Sequence, residues 1–366
     1  MPKEVAMDER LSAKLRGVSF LCAILIVLFH AGISGRYDHG NVFVFHVVRF
    51  LSYGISKAAV PLFFFISGFL FAYQYDNGKT FGEMMKRRLN SLGKPYIYWS
   101  LIYVLKLVLF TIAVNYLGGR ALNAGTDFVL PLHSLRNLVL ILGLDISSFP
   151  IYFPLWYIRN LFLLFILFLP LQKLLKKQMA GGIFLVLVAV CCILRSFEFI
   201  SGPYRQVVET GFSLNGLLCF SAGIYFNNFH MGSKKNLPAA VILCVTWFVL
   251  AWPWKFSPGI NFALNNLSVL VGSAAFWLIY DHLPGRDIIE SLPCLHYSFF
   301  IYVSHYIIMS TLFGRKVYSW FGRMIHDGGL LFYAAQFIVT MVIVMISAYL
   351  LERFVPKLYR ALTGGR

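Results

Sequence analysis

An imidazole inside a long apolar run is the first group along this chain able to move protons. His30 lies in the stretch Leu25-Ile-Val-Leu-Phe-His30-Ala-Gly, within an apolar segment that extends from Gly17 to Ser34. Its ordinary pKa of ~6.5 suits a general base at neutral pH. Such a base typically contributes ~10²–10⁴ in rate. An ionisable group within an apolar span is by default a functional candidate; the alternative is an interfacial histidine satisfied by a neighbouring helix. Arg16 precedes His30 by fourteen positions. At ~1.5 Å per helical residue that is roughly 21 Å, which puts the two residues near opposite ends of the segment. Arg159 falls about eight residues into another apolar stretch, where a charge costs ~2.5–3.5 kcal/mol, so it should face an internal cavity or a partner. Trp156 beside it is either a cavity wall or part of an aromatic belt. Arg87 and Arg88 have the fork that grips phosphate bidentately; otherwise they are simply basic residues of a cytoplasmic loop. Tyr302 and His305 are three positions apart on one helical face, either lining a site or forming a structural pair. Lys106 snorkels or pairs outside any motif.

The elements that must position these groups are membrane helices. Of 366 residues, 59% are hydrophobic and 13% charged, with a mean hydropathy of +0.72, whereas a soluble domain is nearer half apolar and a quarter charged. The expectation is an all-α, polytopic helix bundle forming one domain over 1–366, with no cleavable signal peptide and no appended soluble domain. Ten spans are expected: 17–34, 58–75, 96–116, 151–172, 180–197, 211–228, 237–254, 262–280, 294–313 and 329–351. Residues 41–57 form an interfacial or re-entrant piece, divided from the second span at Gly54 and Lys57. The loop 117–150 carries an apolar helix at about 132–144. Lys79, Lys86, Arg87, Arg88 and Lys94, then Lys173, Lys176 and Lys177, then Lys234 and Lys235 mark cytoplasmic loops. Both termini would then be cytoplasmic, and the basic loop 314–328 is an exception to that rule. The net charge of +17 fits loops facing an anionic leaflet and does not call for nucleic acid. The six cysteines show no metal-ligand spacing and read as small core residues. Ser67-Gly68 reads as helix packing, because no G-x-S-x-G elbow surrounds the serine. Asn266-Leu-Ser268 matches a glycosylation sequon but falls within a span.

Five stretches in order carry a resemblance that covers nearly the whole chain. They are Leu15-Arg16-Gly-Val-Ser-Phe with Val27-Leu-Phe-His30; Val60-Pro-Leu-Phe-Phe-Phe-Ile-Ser67-Gly68; Lys86-Arg87-Arg88 with Pro95-Tyr96 and Trp99; Pro154-Leu-Trp156-Tyr-Ile-Arg159-Asn; and Phe299-Phe-Ile-Tyr302-Val-Ser-His305. Each is weak alone. Together they resemble acyltransferase family 3, bacterial integral-membrane O-acyltransferases of surface glycans.

That resemblance implies transfer of an acyl group, most often acetyl from acetyl-CoA, to a hydroxyl of a surface or lipid-linked carbohydrate in a bacterial inner membrane. Acetyl-CoA, or another acyl-CoA, would be a co-substrate, with no permanently bound cofactor and no metal. The family's first-span histidine matches His30, and its arginine matches Arg16, although the spacing between them here is longer than in better-known members. Arg88 aligns with the family's basic motif as a donor phosphate partner. Lys57 stands before the Val-Pro-Leu-Phe-Phe run as a structural or donor-facing cation. Tyr302 and His305 match its last block. The competing class is a transporter or flippase for a glycan or lipid intermediate, which should often show inverted repeats; the sequence displays none.

Overall fold

The computed structural model describes residues 8–34, 42–117, 149–194, 212–229, 236–254, 256, 258–312 and 329–365. Every element among the described residues is helical. Four helices are long and apolar enough to cross a membrane, or five if one bent pair is a single span. Two shorter apolar helices, Gln178–Leu194 and Leu237–Ala251, accompany them. The expected helix at 132–144 and the basic loop 314–328 lie outside the described residues.

Helix α1 (Glu9–Ser34) is the central post. It packs on a π-helical turn, Phe50–Ile55, and on α3 (Ala59–Asp76), α13 (Ser298–Leu312) and α14 (Gly329–Phe354). In its apolar window 61% of residues are buried, against 28% in α14. The peripheral helix instead turns Ile338, Val342 and Ile346 outward, as a lipid-facing surface requires. At one end of α1, Lys14 donates to Asp281 at 2.5 Å and lies 3.9 Å from the Trp277 ring centroid. Arg286 completes that buried cluster with Asp281 at 3.1 Å and Glu290 at 2.7 Å. Towards the other end the Tyr333 hydroxyl donates to the Leu28 carbonyl at 3.2 Å. The post is therefore tied to its neighbours by polar contacts near both ends.

The segment after α1 breaks near the residues the sequence marks. Helix α2 (Val42–Arg49) is followed by the π turn and a 3-10 turn, Ser56–Ala58, before α3 begins. Helix α4 (Phe81–Arg88) starts with a capping box: the Glu83 N–H donates to Thr80 Oγ1 at 3.3 Å, and the Thr80 N–H donates to Glu83 Oε2 at 2.8 Å. The bonds from the Thr80 backbone and side chain hold the Glu83 carboxyl below its usual range. Helix α5 (Lys94–Leu117) follows, close to the expected third span.

The expected fourth span is not straight. Helices α6 (Trp156–Ile166) and α7 (Phe168–Leu175) meet at Leu167 with a bend of 63°. Pro170 is the cause: it has no N–H for the Ile166 carbonyl, and its ring crowds that carbonyl, so the helix breaks one turn earlier. The chain continues through α8 (Gln178–Leu194), α9 (Leu214–Asn228), α10 (Leu237–Ala251), α11 (Pro258–Ile279), α12 (Arg286–Ser291), α13, α14 and α15 (Pro356–Thr363).

Helices α3 and α9 meet closely through two glycines. A Cβ on Gly68 would stand 2.0 Å from the Phe220 carbonyl oxygen, and one on Gly223 would stand 2.1 Å from that of Phe65. Only hydrogen fits at either position, as in small-residue contacts between membrane helices. Asn266, by contrast, is buried in α11 and donates to the Cys192 carbonyl at 3.3 Å. Among the cysteines, Cys22, Cys192 and Cys219 are buried, but Cys191 is exposed on α8 and so is not a core residue.

Candidate functional site

Two cavities lie along opposite halves of α1 and α3. The first, about 400 Å³, is lined by Ile26, Phe29 and His30 of α1, by Lys57, Val60, Pro61 and Phe64, and by Trp156, Asn215 and Asn265. The second, about 850 Å³, is lined by Ser12, Arg16 and Ser19 of α1, by Ser67, Leu70 and Gln74 of α3, and by Arg87, Arg88 and His296. Tyr157 and Tyr302 line both. They form the partition, held by hydrogen bonds: the Tyr157 hydroxyl donates to the Phe63 carbonyl at 3.1 Å and pairs with Ser67 Oγ at 3.0 Å. The Tyr302 hydroxyl donates to the Pro154 carbonyl. The two rings meet edge to face, with centroids 5.8 Å apart.

His30 is buried to 7% exposure and ringed by aromatic groups. Phe29, Phe153 and Tyr306 present edges to it at centroid distances of 5.1, 6.0 and 5.4 Å. The imidazole of His305 lies 5.0 Å away. His305 is fully buried, and its Nδ1 stands 3.1 Å from the Ile301 carbonyl. A carbonyl only accepts, so this nitrogen carries the proton and Nε2 keeps its lone pair. That Nε2 has no hydrogen-bond partner among the described residues. Across the cavity the Lys57 ammonium donates to Asn265 Oδ1 at 3.1 Å and faces the Tyr53 ring at 5.0 Å.

The second cavity has a different character. Three arginines and a histidine line it, and no carboxylate does among the described residues. It is a setting for an anion. Arg88 and Arg87 differ within it. Arg88 is half-buried, with its guanidinium 6.0 Å from the Phe71 ring and 5.6 Å from the Phe165 ring, while Arg87 is exposed. Stacking on two rings fixes the direction of the Arg88 fork. Arg16 donates to Ser12 Oγ one helical turn earlier, at 2.8 Å. His296 stands 3.2 Å from the Glu352 carboxylate, which also accepts from the Tyr297 hydroxyl at 2.5 Å.

The sequence-derived candidates thus divide between the cavities. His30, Lys57 and Trp156 share the first, Arg16 and Arg88 share the second, and Tyr302 belongs to both. Arg16 and His30 do not meet. His305 lines neither cavity and sits directly behind His30. Arg159 is buried at 8% exposure, lines neither cavity and lies near Tyr96 at the start of α5. Its place is a polar contact inside the bundle. Lys106 donates to Ser310 Oγ at 2.6 Å, away from both cavities. Tyr157 was not singled out by sequence, although it stands beside Trp156 in the same motif and occupies the partition. Asn265 was missed as well, being one amide in the unremarkable run Leu264-Asn-Asn-Leu.

A family model described as an acyltransferase domain matches residues 14–353. No curated protein and no solved structure matches the chain. The matched range includes His30, Arg88, Tyr157 and Tyr302.

Proposed function

Because the chain belongs to acyltransferase family 3, we propose that it is a multi-pass O-acyltransferase that moves an acyl group, acetyl above all, from acyl-CoA to a hydroxyl of a surface or lipid-linked glycan. The observation that carries this reading is the pair of cavities meeting at Tyr157 and Tyr302, one holding His30 and the other three arginines with no carboxylate among the described residues. Acetyl-CoA enters the arginine-lined cavity, where Arg88, Arg87 and Arg16 hold its phosphates. The acceptor enters the His30 cavity. His30 takes the proton of the acceptor hydroxyl as that oxygen attacks the thioester carbonyl. The oxyanion then collapses, the carbon–sulfur bond breaks, and the imidazolium returns the proton to the departing thiolate. His305 holds the His30 ring from behind, and the Lys57 ammonium offers positive charge in the same cavity.

In this reading the chain has ten spans in a bacterial inner membrane. Both termini, α4 and the arginine-lined cavity face the cytoplasm, where acyl-CoA resides. A flippase would also have cavities on either side of a partition, but it would not need a buried imidazole beside that partition. The test is analysis of ester-linked acyl groups on surface glycans of cells producing wild type or His30→Ala, with equal membrane insertion verified. Loss of the esters is expected, by at least about a hundredfold in initial rate. Unchanged esters would sink the assignment of His30.

A further inference from the structure

A third cavity, about 370 Å³, opens between the α2–π-turn segment and the connection from α10 to α11. Its walls combine cations and aromatic planes. The Arg49 guanidinium carbon lies 5.4 Å from the Phe45 ring and 5.2 Å from the Tyr53 ring. Tyr53 also faces the Lys57 ammonium, so one ring stands near two cations. The His46 ring stacks on Trp252 at 5.9 Å with only 9° between planes, and its buried Nδ1 has no hydrogen-bond partner among the described residues. Trp254 is fixed by its indole N–H, which donates to the Val249 carbonyl at 2.7 Å. No carboxylate lines this cavity, and Arg49 makes no ion pair among the described residues.

Two further observations relate the cavity to the transfer reaction. Asn265 lines both this cavity and the one that holds His30, and it accepts from Lys57. The two spaces therefore share a wall. Trp252 and Trp254 are exposed, as aromatic residues of a membrane belt are, and they form the open rim of a recess that also contains Arg49, His46 and Asn265. A flat apolar ring surface beside amide and cationic donors matches a sugar, whose C–H face stacks and whose substituents hydrogen-bond. A guanidinium with no ion pair among the described residues adds a preference for negative charge.

We propose that this cavity is an outer acceptor subsite adjoining the His30 cavity and that the acceptor is an anionic saccharide, a sugar carrying a phosphate or a carboxylate, with a ring on Trp252 and the anion at Arg49. The proposal rests on the acyltransferase reading above. Arg49 fixes the charged end, which leaves a hydroxyl of the same or the next sugar to reach across the Asn265 wall to His30.

The test uses the full-length protein in zwitterionic phosphatidylcholine nanodiscs, so that no anionic lipid competes. The probes are glucose 1-phosphate, glucuronate, methyl glucoside and dihexanoyl phosphatidic acid, with acetyl-CoA binding measured in parallel. One or both anionic sugars should bind, methyl glucoside at least about tenfold more weakly, and Arg49→Gln should lose at least about tenfold of the anionic affinity. Trp252→Leu should weaken the same sugars, and acetyl-CoA affinity should be the same in all three proteins. The preferred sugar tells phosphate from carboxylate. Absence of anionic-sugar binding, binding indifferent to Arg49→Gln, or Arg49-dependent binding of the phosphatidic acid alone overturns the proposal. Cells producing Arg49→Gln separate the two readings: normal ester levels there refute the subsite alone. A wild type that neither binds acetyl-CoA nor adds esters refutes the enzyme reading itself.

Discussion

His30 and His305 face each other at 5.0 Å, with ring planes tilted by 41°. The first lines a cavity and the second is sealed behind it. With Nδ1 committed to the Ile301 carbonyl, His305 presents only an acceptor nitrogen to its surroundings. A ring packed this closely restricts the orientation of His30. His305→Phe keeps an aromatic ring but removes the acceptor. Its kcat should fall about tenfold or more with the KM for acetyl-CoA unchanged, since general-base positioning acts on the chemical step. A rise in KM at constant kcat would contradict this role.

Arg88 and Arg87 offer a second comparison. Truncating a charged, ring-stacked donor costs ~1.5–3 kcal/mol, and truncating an exposed one much less. Arg88→Gln should therefore weaken acetyl-CoA binding at least about tenfold, and Arg87→Gln only a few-fold. Calorimetric titration of both variants measures this, and equal losses would show that the cavity reads only total charge.

The partition makes its own prediction. Tyr157→Phe keeps the ring and removes the hydroxyl that joins the Phe63 carbonyl to Ser67 Oγ. A partner left unsatisfied costs ~1–3 kcal/mol, so the thermal midpoint should drop. Acetyl-CoA hydrolysis without acceptor should rise as the cavities become less separate. A hydrolysis rate equal to wild type would argue against the tyrosine as a barrier.

Gly68→Ala puts a methyl group 2.0 Å from the Phe220 carbonyl oxygen. The clash is with backbone, so helices α3 and α9 must move apart, at a cost of about 1–3 kcal/mol or more. Gly82→Ala is the control, since nothing lies near a Cβ there. Melting curves in detergent should show a lower midpoint for the first and none of that loss for the second.

The α4 cap gives a pH-dependent case. Glu83 titrates below its usual range in the folded protein, so the carboxylate's contribution to the cap is present above the ordinary carboxylate pKa and is lost as pH falls through the lowered value. Thr80→Ala removes the cap, worth about 1 kcal/mol. Amides of α4 should exchange with deuterium several-fold faster in this variant at neutral pH, and the difference should narrow without closing in acid, since the Glu83 N–H to Thr80 Oγ1 bond does not titrate.

Much of the architecture was legible in residue order because hydropathy and punctuation are local. Gly54 and Lys57 marked the break before α3, which begins at Ala59. Lys94-Pro95 marked the start of α5. The bend at Leu167 was written in Pro170 but hidden by the continuous apolar run around it. The sites were less legible. Which of Arg16, Arg88 and Arg159 meets His30 depends on helix rotation and tilt, which hydropathy does not encode. None of the three lines its cavity, while Lys57, from a π-to-3-10 break, does. Arg49 and Trp252 share a cavity from distant parts of the sequence, and no local pattern announces such a meeting.

The break at Leu167 leaves α6 as a half-helix that begins at Trp156, beside the tyrosines that divide the two cavities. The amino end of a helix carries roughly half a positive charge, spread over backbone amides. An oxyanion forming near that partition would meet a potential that belongs to the main chain. It does not titrate, is not lost when any one side chain is exchanged, and depends on the helix beginning where it does. Residual turnover in variants of the side-chain cations would have this backbone field as its source.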